Sequence, residues 1–180
     1  MSVFLILLTF WFFRDPDRKV PSDIQQDDSL ILSPADGIVT EIVDELEEHY
    51  LNTHSRRITI FLSPLNVHVN RVPVSGVVEF LHFQPGKFMI ANKPDASKQN
   101  QQSQIGVSSP KGKILFKQIV GAVARRVVYD IKLGDSVVKG DRFGMMKFGS
   151  RMDIAIPIDA DVRVKVGDKV VAAETIIAAF

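Results

Sequence analysis

The 180-residue sequence predicts a mainly β domain of barrel-sandwich type with a pseudo-twofold repeat, preceded by a short apolar N-terminal helix. Three observations carry this reading. From Leu30 onward, short runs rich in Val and Ile alternate with Gly, Pro, Asp and Asn, the pattern of strands and tight turns. No segment shows a long 3.6-residue apolar period. The third is an echo: Lys132-Leu-Gly-Asp-Ser-Val-Val-Lys-Gly-Asp is matched by Lys165-Val-Gly-Asp-Lys-Val-Val-Ala-Ala-Glu, a Gly-Asp turn before a Val-Val pair in each. Fainter echoes stand at Ser33-Pro-Ala-Asp-Gly-Ile-Val and Val74-Ser-Gly-Val-Val. Repeated turn-plus-strand units suit a small sandwich or barrel.

Taken in order, Val3–Phe13 comes first, an uncharged apolar run. As a helix it covers only about half of a bilayer core at ~1.5 Å per residue. It lacks the basic start and small-residue cleavage site of a signal peptide, and Arg14, Arg18 and Lys19 follow it, as at a cytoplasmic membrane face. The expectation is a membrane-proximal leader over 1–20: the end of a longer membrane segment, or an anchor lying in the interface. A buried core element is the competing reading. Arg14–Ser29, punctuated by Pro16 and Pro21, reads as a linker.

Residues 21–180 read as a single β domain. Its expected strands are Leu30–Leu32, Gly37–Val43, Arg57–Leu62, Gly76–Phe83, Ile114–Val120, Arg126–Ile131, Arg142–Phe148, Asp153–Pro157 and Thr175–Ala179. Leu65–Val69 has room for one short helical turn. Asn92–Pro110, rich in Ser, Gln, Lys and Asn, reads as an exposed loop, a candidate lid or cleavage-prone segment. The segment between the two Gly-Asp turns reads as a protruding hairpin with Gly149-Ser150 at its strained, exposed tip.

Composition narrows the function. A chain 46% hydrophobic and 24% charged is globular, not disordered. A net charge of +1 gives no field for nucleic acid. The absence of Cys excludes disulfides, thiolate zinc sites and cysteine nucleophiles. His49, His54, His68 and His82 show neither HExxH nor close His-Asp spacing, so no metal site is expected.

The chemistry concentrates at Phe148-Gly149-Ser150-Arg151. A serine hydroxyl after a glycine can attack the preceding carbonyl, and Gly149 has no Cβ to hinder the approach. Gly-Ser is also a common turn dipeptide. Met146-Lys147-Phe148 beside it resembles the modified-lysine hairpin of biotinyl/lipoyl carrier domains, and the fold reading is biotinyl/lipoyl-like in the same sense. A carrier needs only about half of this length, given usual domain sizes.

Six pieces in order make the chain resemble the phosphatidylserine decarboxylase family of the short, pyruvoyl-dependent type. They are Phe12-Phe-Arg-Asp-Pro, Ser33-Pro-Ala-Asp-Gly, Phe61-Leu-Ser-Pro-Leu-Asn-Val-His-Val-Asn-Arg, Pro85-Gly-Lys-Phe, Gly121-Ala-Val-Ala-Arg-Arg and Phe148-Gly-Ser-Arg. The resemblance implies self-cleavage: Ser150 Oγ attacks the Gly149 carbonyl, the resulting ester eliminates, and the dehydroalanine left behind hydrolyses to a pyruvoyl group. A large subunit (1–149) and a small one (150–180) result. It further implies that the serine amine of phosphatidylserine forms a Schiff base with the covalently bound pyruvate, carbon dioxide leaves, and phosphatidylethanolamine is released.

His68 is the expected acid/base, since a histidine gives and takes protons near neutrality; the bland reading is a loop histidine bonded to a carbonyl. Asp36 is expected to orient a base or assist cleavage, or else to form an Asp-Gly turn. Many bacterial relatives carry a second His where this chain has Arg71, which cannot act as a base. Either His68 does both jobs, or cleavage takes another route with Arg71 as a carboxylate or phosphate ligand; Arg125 and Arg126 are further substrate-binding candidates, with Lys87 and Arg151 as weaker ones. Relatives often read Asn-Glu-Arg where this chain has Asn100-Gln101-Gln102, which removes a charge pair. The resemblance places the protein peripherally on the cytoplasmic face of the cell membrane, with pairing into a homodimer allowed. The alternatives are a pyruvoyl decarboxylase of a soluble amino acid and a carrier domain modified on Lys147.

Overall fold

A computed structural model describes residues 2–89, 96–121, 127–146 and 150–180. Its elements, in chain order, are α1 (Ser2–Phe12), α2 (Ser22–Gln26), β1 (Leu30–Leu32), β2 (Gly37–Glu47), β3 (Thr53–Leu62), β4 (Val69–Arg71), β5 (Gly76–Gln84), α3 (Ala96–Gln99), β6 (Gln102–Ser109), β7 (Gly112–Ile119), β8 (Val127–Tyr129), β9 (Ser136–Val137), β10 (Arg142–Met146), β11 (Ser150–Pro157), β12 (Asp161–Val162), β13 (Lys169–Val170) and β14 (Ile176–Ala179). The protein is mainly β, as its Val/Ile-rich runs require.

One eight-stranded sheet, ordered β13-β2-β3-β11-β7-β6-β5-β9, curls into a half-barrel. Two three-stranded sheets, β1-β14-β12 and β4-β10-β8, complete the described strands. Strand alternation sorts the long sheet into two faces. Ile58, Ile60 and Leu62 of β3, Met152, Ile154 and Ile156 of β11, and Ile114 and Phe116 of β7 are fully buried and face the core. Arg57, Thr59, Arg151 and Asp153 lie on the opposite face, where Arg57 Nη1 and Nε hold Glu41 and Glu45 at 2.7 Å each.

The two Gly-Asp turns make the same contacts in two places. The Lys132 N–H donates to Asp135 Oδ2 (2.8 Å) and the Lys165 N–H to Asp168 Oδ2 (2.9 Å). The Gly134 N–H donates to the Val78 carbonyl of β5, and that of Gly167 to the Val39 carbonyl of β2, both at 2.8 Å. Gly134 and Gly167 sit at φ +88° and +98°, where glycine alone is unstrained. The internal repeat is therefore a repeat of docking geometry.

Three expectations are corrected. Asn92–Pro110 is not one exposed loop: Gln102–Ser109 is the interior strand β6, and Ala96–Gln99 is a helical turn. Its polar side chains are buried because the neighbouring strands β5 and β7 supply partners. Ser103 Oγ donates to Gln118 Oε1 (2.7 Å), and Gln102 Nε2 to Gln84 Oε1 (3.1 Å). Second, Ser150 is not at an exposed hairpin tip. It is fully buried and opens β11, in register with Leu62 of β3, while β10 belongs to another sheet. Third, Leu65–Val69 holds no helical turn: a reverse turn spans Ser63–Asn66 and β4 begins at Val69. At the N-terminus α1 exposes Ile6, Leu7, Phe10 and Trp11, unlike a core element. No helix among the described residues is long and apolar enough to cross a membrane.

Candidate functional site

The motif Ser63-Pro-Leu-Asn-Val-His builds a turn that aims a histidine. Pro64 takes the second position of the turn, where its fixed φ is favourable. The Asn66 N–H donates to the Ser63 carbonyl (3.0 Å), and the Ser63 N–H donates back to Asn66 Oδ1 (2.9 Å). The Asn66 carbonyl stands 2.9 Å from His68 Nδ1. A carbonyl only accepts, so Nδ1 carries the proton and Nε2 the lone pair. The histidine does bond a loop carbonyl, and that bond is what fixes its tautomer.

His68 is fully buried. Burial pushes its pKa below the ordinary 6.5, and the Arg14 guanidinium adds to the depression, against the Asn66 hydrogen bond and the Asp36 carboxylate, which raise it. At neutral pH the imidazole is uncharged, the form that accepts a proton.

Ser150 and its surroundings are joined to this segment by two links. The Met146 N–H, at the end of β10, donates to the His68 carbonyl (3.1 Å). Gln118, in register with Met152, donates from Nε2 to Asn70 Oδ1 (2.8 Å). Ser150 shares the core-facing side of β11 with Met152, and its Oγ is buried without a hydrogen-bond partner. A second orphan is Asn70 Nδ2. Its orientation follows from a relay: Ser103 donates to Gln118 Oε1, so Gln118 must donate onward, so Asn70 must accept at Oδ1 and keep Nδ2 as a bare donor. Nothing in the sequence marks Asn70 or Gln118 as functional, because the relay joins residues 48 apart.

The other candidates are placed as follows. Asp36 is buried; Oδ2 accepts from Arg18 (2.9 Å) and Oδ1 from the Ala172 N–H (2.9 Å), so Asp36-Gly37 forms no hairpin turn. Arg71 is buried and donates to the Gly140 carbonyl (3.0 Å), the Pro16 carbonyl (3.1 Å) and Asp15 Oδ1 (3.2 Å). Lys87 is exposed and donates to Gln99 Oε1 (2.9 Å). Arg151 faces away from the Ser150 side chain and pairs with Asp153 at 2.6 Å. Gly149, Arg125, Arg126 and Lys147 lie outside the described residues. Asn100, expected in an exposed loop that lacks the charge pair of relatives, is buried and donates to the Val120 and Met89 carbonyls (2.8 Å each). Among the described residues no three His, Cys, Asp or Glu side chains gather into a metal site.

The family model for phosphatidylserine decarboxylase matches residues 5–178. A phosphatidylserine decarboxylase proenzyme of Salinibacter ruber is 48% identical over 96% of this chain and 75% of its own length. Proenzymes of the same description from Cytophaga hutchinsonii (42% identical, 100% of this chain, 80% of the relative) and a Wolbachia endosymbiont of Brugia malayi (43%, 98% and 77%) are similar throughout.

Proposed function

The chain belongs to the phosphatidylserine decarboxylase family, and from that premise we propose that Ser150 cuts the chain at Gly149-Ser150 and becomes the pyruvoyl group used to convert phosphatidylserine to phosphatidylethanolamine. The observation that carries this is the Ser150 hydroxyl, fully buried and without a partner. Such a group costs about 1–3 kcal/mol, and an inert serine at this strand end would be better replaced by alanine. A nucleophile kept from water and from competing acceptors accounts for it.

The residues present fit a pyruvoyl group. It adds acceptor oxygens at a core-facing position, and the bare Asn70 Nδ2 donor is suited to such an oxygen. Once formed, the group supplies a carbonyl that takes up the electron pair released as the carboxylate departs. This chain's own side chains do the rest. His68 Nε2, which carries a lone pair at rest, takes a proton from the substrate ammonium and returns it to the α-carbon once carbon dioxide has left. Asp36, fixed by Arg18 and the Ala172 N–H, keeps the field on His68 from turning wholly positive. Arg71 is occupied by Asp15, so the head-group phosphate falls first to Lys87, Arg125 and Arg126. The apolar helix α1, with basic residues behind it, holds the protein peripherally at the cytoplasmic membrane face.

Intact-mass spectrometry under denaturing conditions tests the reading. Two fragments split at Gly149-Ser150, the smaller with a pyruvoyl terminus, are expected, and Ser150→Ala should leave one chain. An active preparation that stays whole, or a Ser150→Ala protein that still splits, overturns it. A whole chain with an adduct on Lys147 returns the carrier reading.

A further inference from the structure

The motif Phe12-Phe-Arg-Asp-Pro has no task in the chemistry above, yet its residues cross the candidate site like a strap. The Phe12 ring is 4% exposed and lies on the His68 imidazole, centroids 4.3 Å apart and planes 31° from parallel. Arg14 donates from Nη2 to the Leu65 carbonyl (2.7 Å), inside the turn that carries His68. Asp15 pairs with Arg71 at 3.2 Å, and Arg18 with Asp36 at 2.9 Å. Three residues singled out for chemistry, His68 and Arg71 from one motif and Asp36 from another, each meet a strap residue.

From this geometry we infer that Phe12 is a positioning residue for His68, and that the strap Phe12–Arg18 is a wall of the catalytic site, not a linker. The inference rests on the reading of His68 as the proton carrier. A hydrogen bond at one ring nitrogen sets the tautomer but does not by itself fix the ring plane. The Nδ1 bond to Asn66 fixes one edge, and the Phe12 ring fixes the plane, so together they set where Nε2 aims. The ring covers a face of the imidazole, and because the Nε2 lone pair lies in the ring plane this contact does not occupy it. It also keeps water from that face, which holds His68 neutral.

The test is the pH–rate profile of mature enzyme, per cut chain, on detergent-dispersed substrate so that membrane docking does not enter. Phe12→Ala should lower kcat by roughly 10- to 100-fold, with KM little changed, and move the acid limb up toward 6.5. Phe12→Leu keeps bulk without the flat face and should fall between; it carries the test if the alanine variant does not fold. Phe10→Ala, on the exposed side of α1, should leave the acid limb in place. Wild-type kcat and acid limb in Phe12→Ala, or in Phe12→Leu where only that variant folds, overturn the inference. His68→Gln separates the two layers. If it keeps activity and acid limb, the reading of His68 falls. If it is inactive while the Phe12 variants match wild type, only the positioning role falls.

Discussion

His68 is held neutral by burial, and this has consequences in two observables. Its folded pKa lies below the unfolded 6.5, so as pH falls through 6.5 the unfolded chain takes up the proton first. Fold stability is expected to be unaffected by this group above 6.5 and to decline as pH falls from there to the folded value. Activity should drop along the same acid limb, below 6.5, as the imidazole loses its lone pair. Melting temperatures and rates measured in parallel across pH 4–8 check both, and His68→Gln should abolish the histidine part of each. Asn70 allows a sharper residue-scale prediction. Asn70→Ala removes the bare donor and strands Gln118 Nε2, so stability should fall by about 1–3 kcal/mol. If Asn70 serves the oxyanion of self-cleavage, maturation should also slow by roughly 10²–10³-fold. A time course of cleavage beside a denaturation curve distinguishes the two: stability loss with normal maturation would make Asn70 purely structural.

At the scale of elements, the Lys-x-Gly-Asp turns show how a local conformation positions a distant one. Gly134 and Gly140 share nearly the same backbone, φ +88° and +90°, but differ in surroundings. A Cβ on Gly134 meets nothing within 4 Å, whereas one on Gly140 lands 2.4 Å from Val20 Cγ2, just beyond the strap. Gly134→Ala should therefore cost only left-handed strain, about 1–2 kcal/mol. Gly140→Ala should cost more, because β-branched Val20 has little rotamer freedom to yield, and it should lower activity by displacing the strap. Thermal melts and rates of the two variants make the comparison. The same contrast shows what the sequence could reveal. Strands built from Val and Ile, and the turns between them, were legible because periodicity and glycine act locally. Strand β6 was not, because Gln102, Ser103 and Gln104 are polar in sequence and become core-compatible only when Gln84 and Gln118 supply partners. The burial of Ser150 was hidden for a related reason: its setting depends on β3 and β7 flanking β11. His68, Asp36 and Ser150 stood out by chemistry, whereas Phe12, Asn70 and Gln118 act through contacts that no spacing announces.

For the whole molecule, the proposed cut before Ser150 would divide the chain but not the fold. The segment 150–180 contributes β11 to the interior of the long sheet, paired with β3 on one side and β7 on the other. It also contributes β14, paired with β1, and β13, paired with β2. Met152, Ile154, Ile156 and Ile177 are fully buried in the common core. Burying side chains of this size is worth about 1.5–3 kcal/mol each, and these four act together with the strand pairings against the entropy that releasing the small fragment would gain. The repeat is divided too: the turn at Lys132–Asp135 stays with the large fragment, and its counterpart at Lys165–Asp168 goes with the small one, each still docked on a strand of the large fragment. The two fragments are therefore expected to co-elute as one particle of about the uncut mass in native size exclusion. They should separate only in denaturant, and in a single transition with loss of the β circular-dichroism signal. Dissociation without unfolding would mean that the small fragment is held by far less than its strand pairings and core side chains imply.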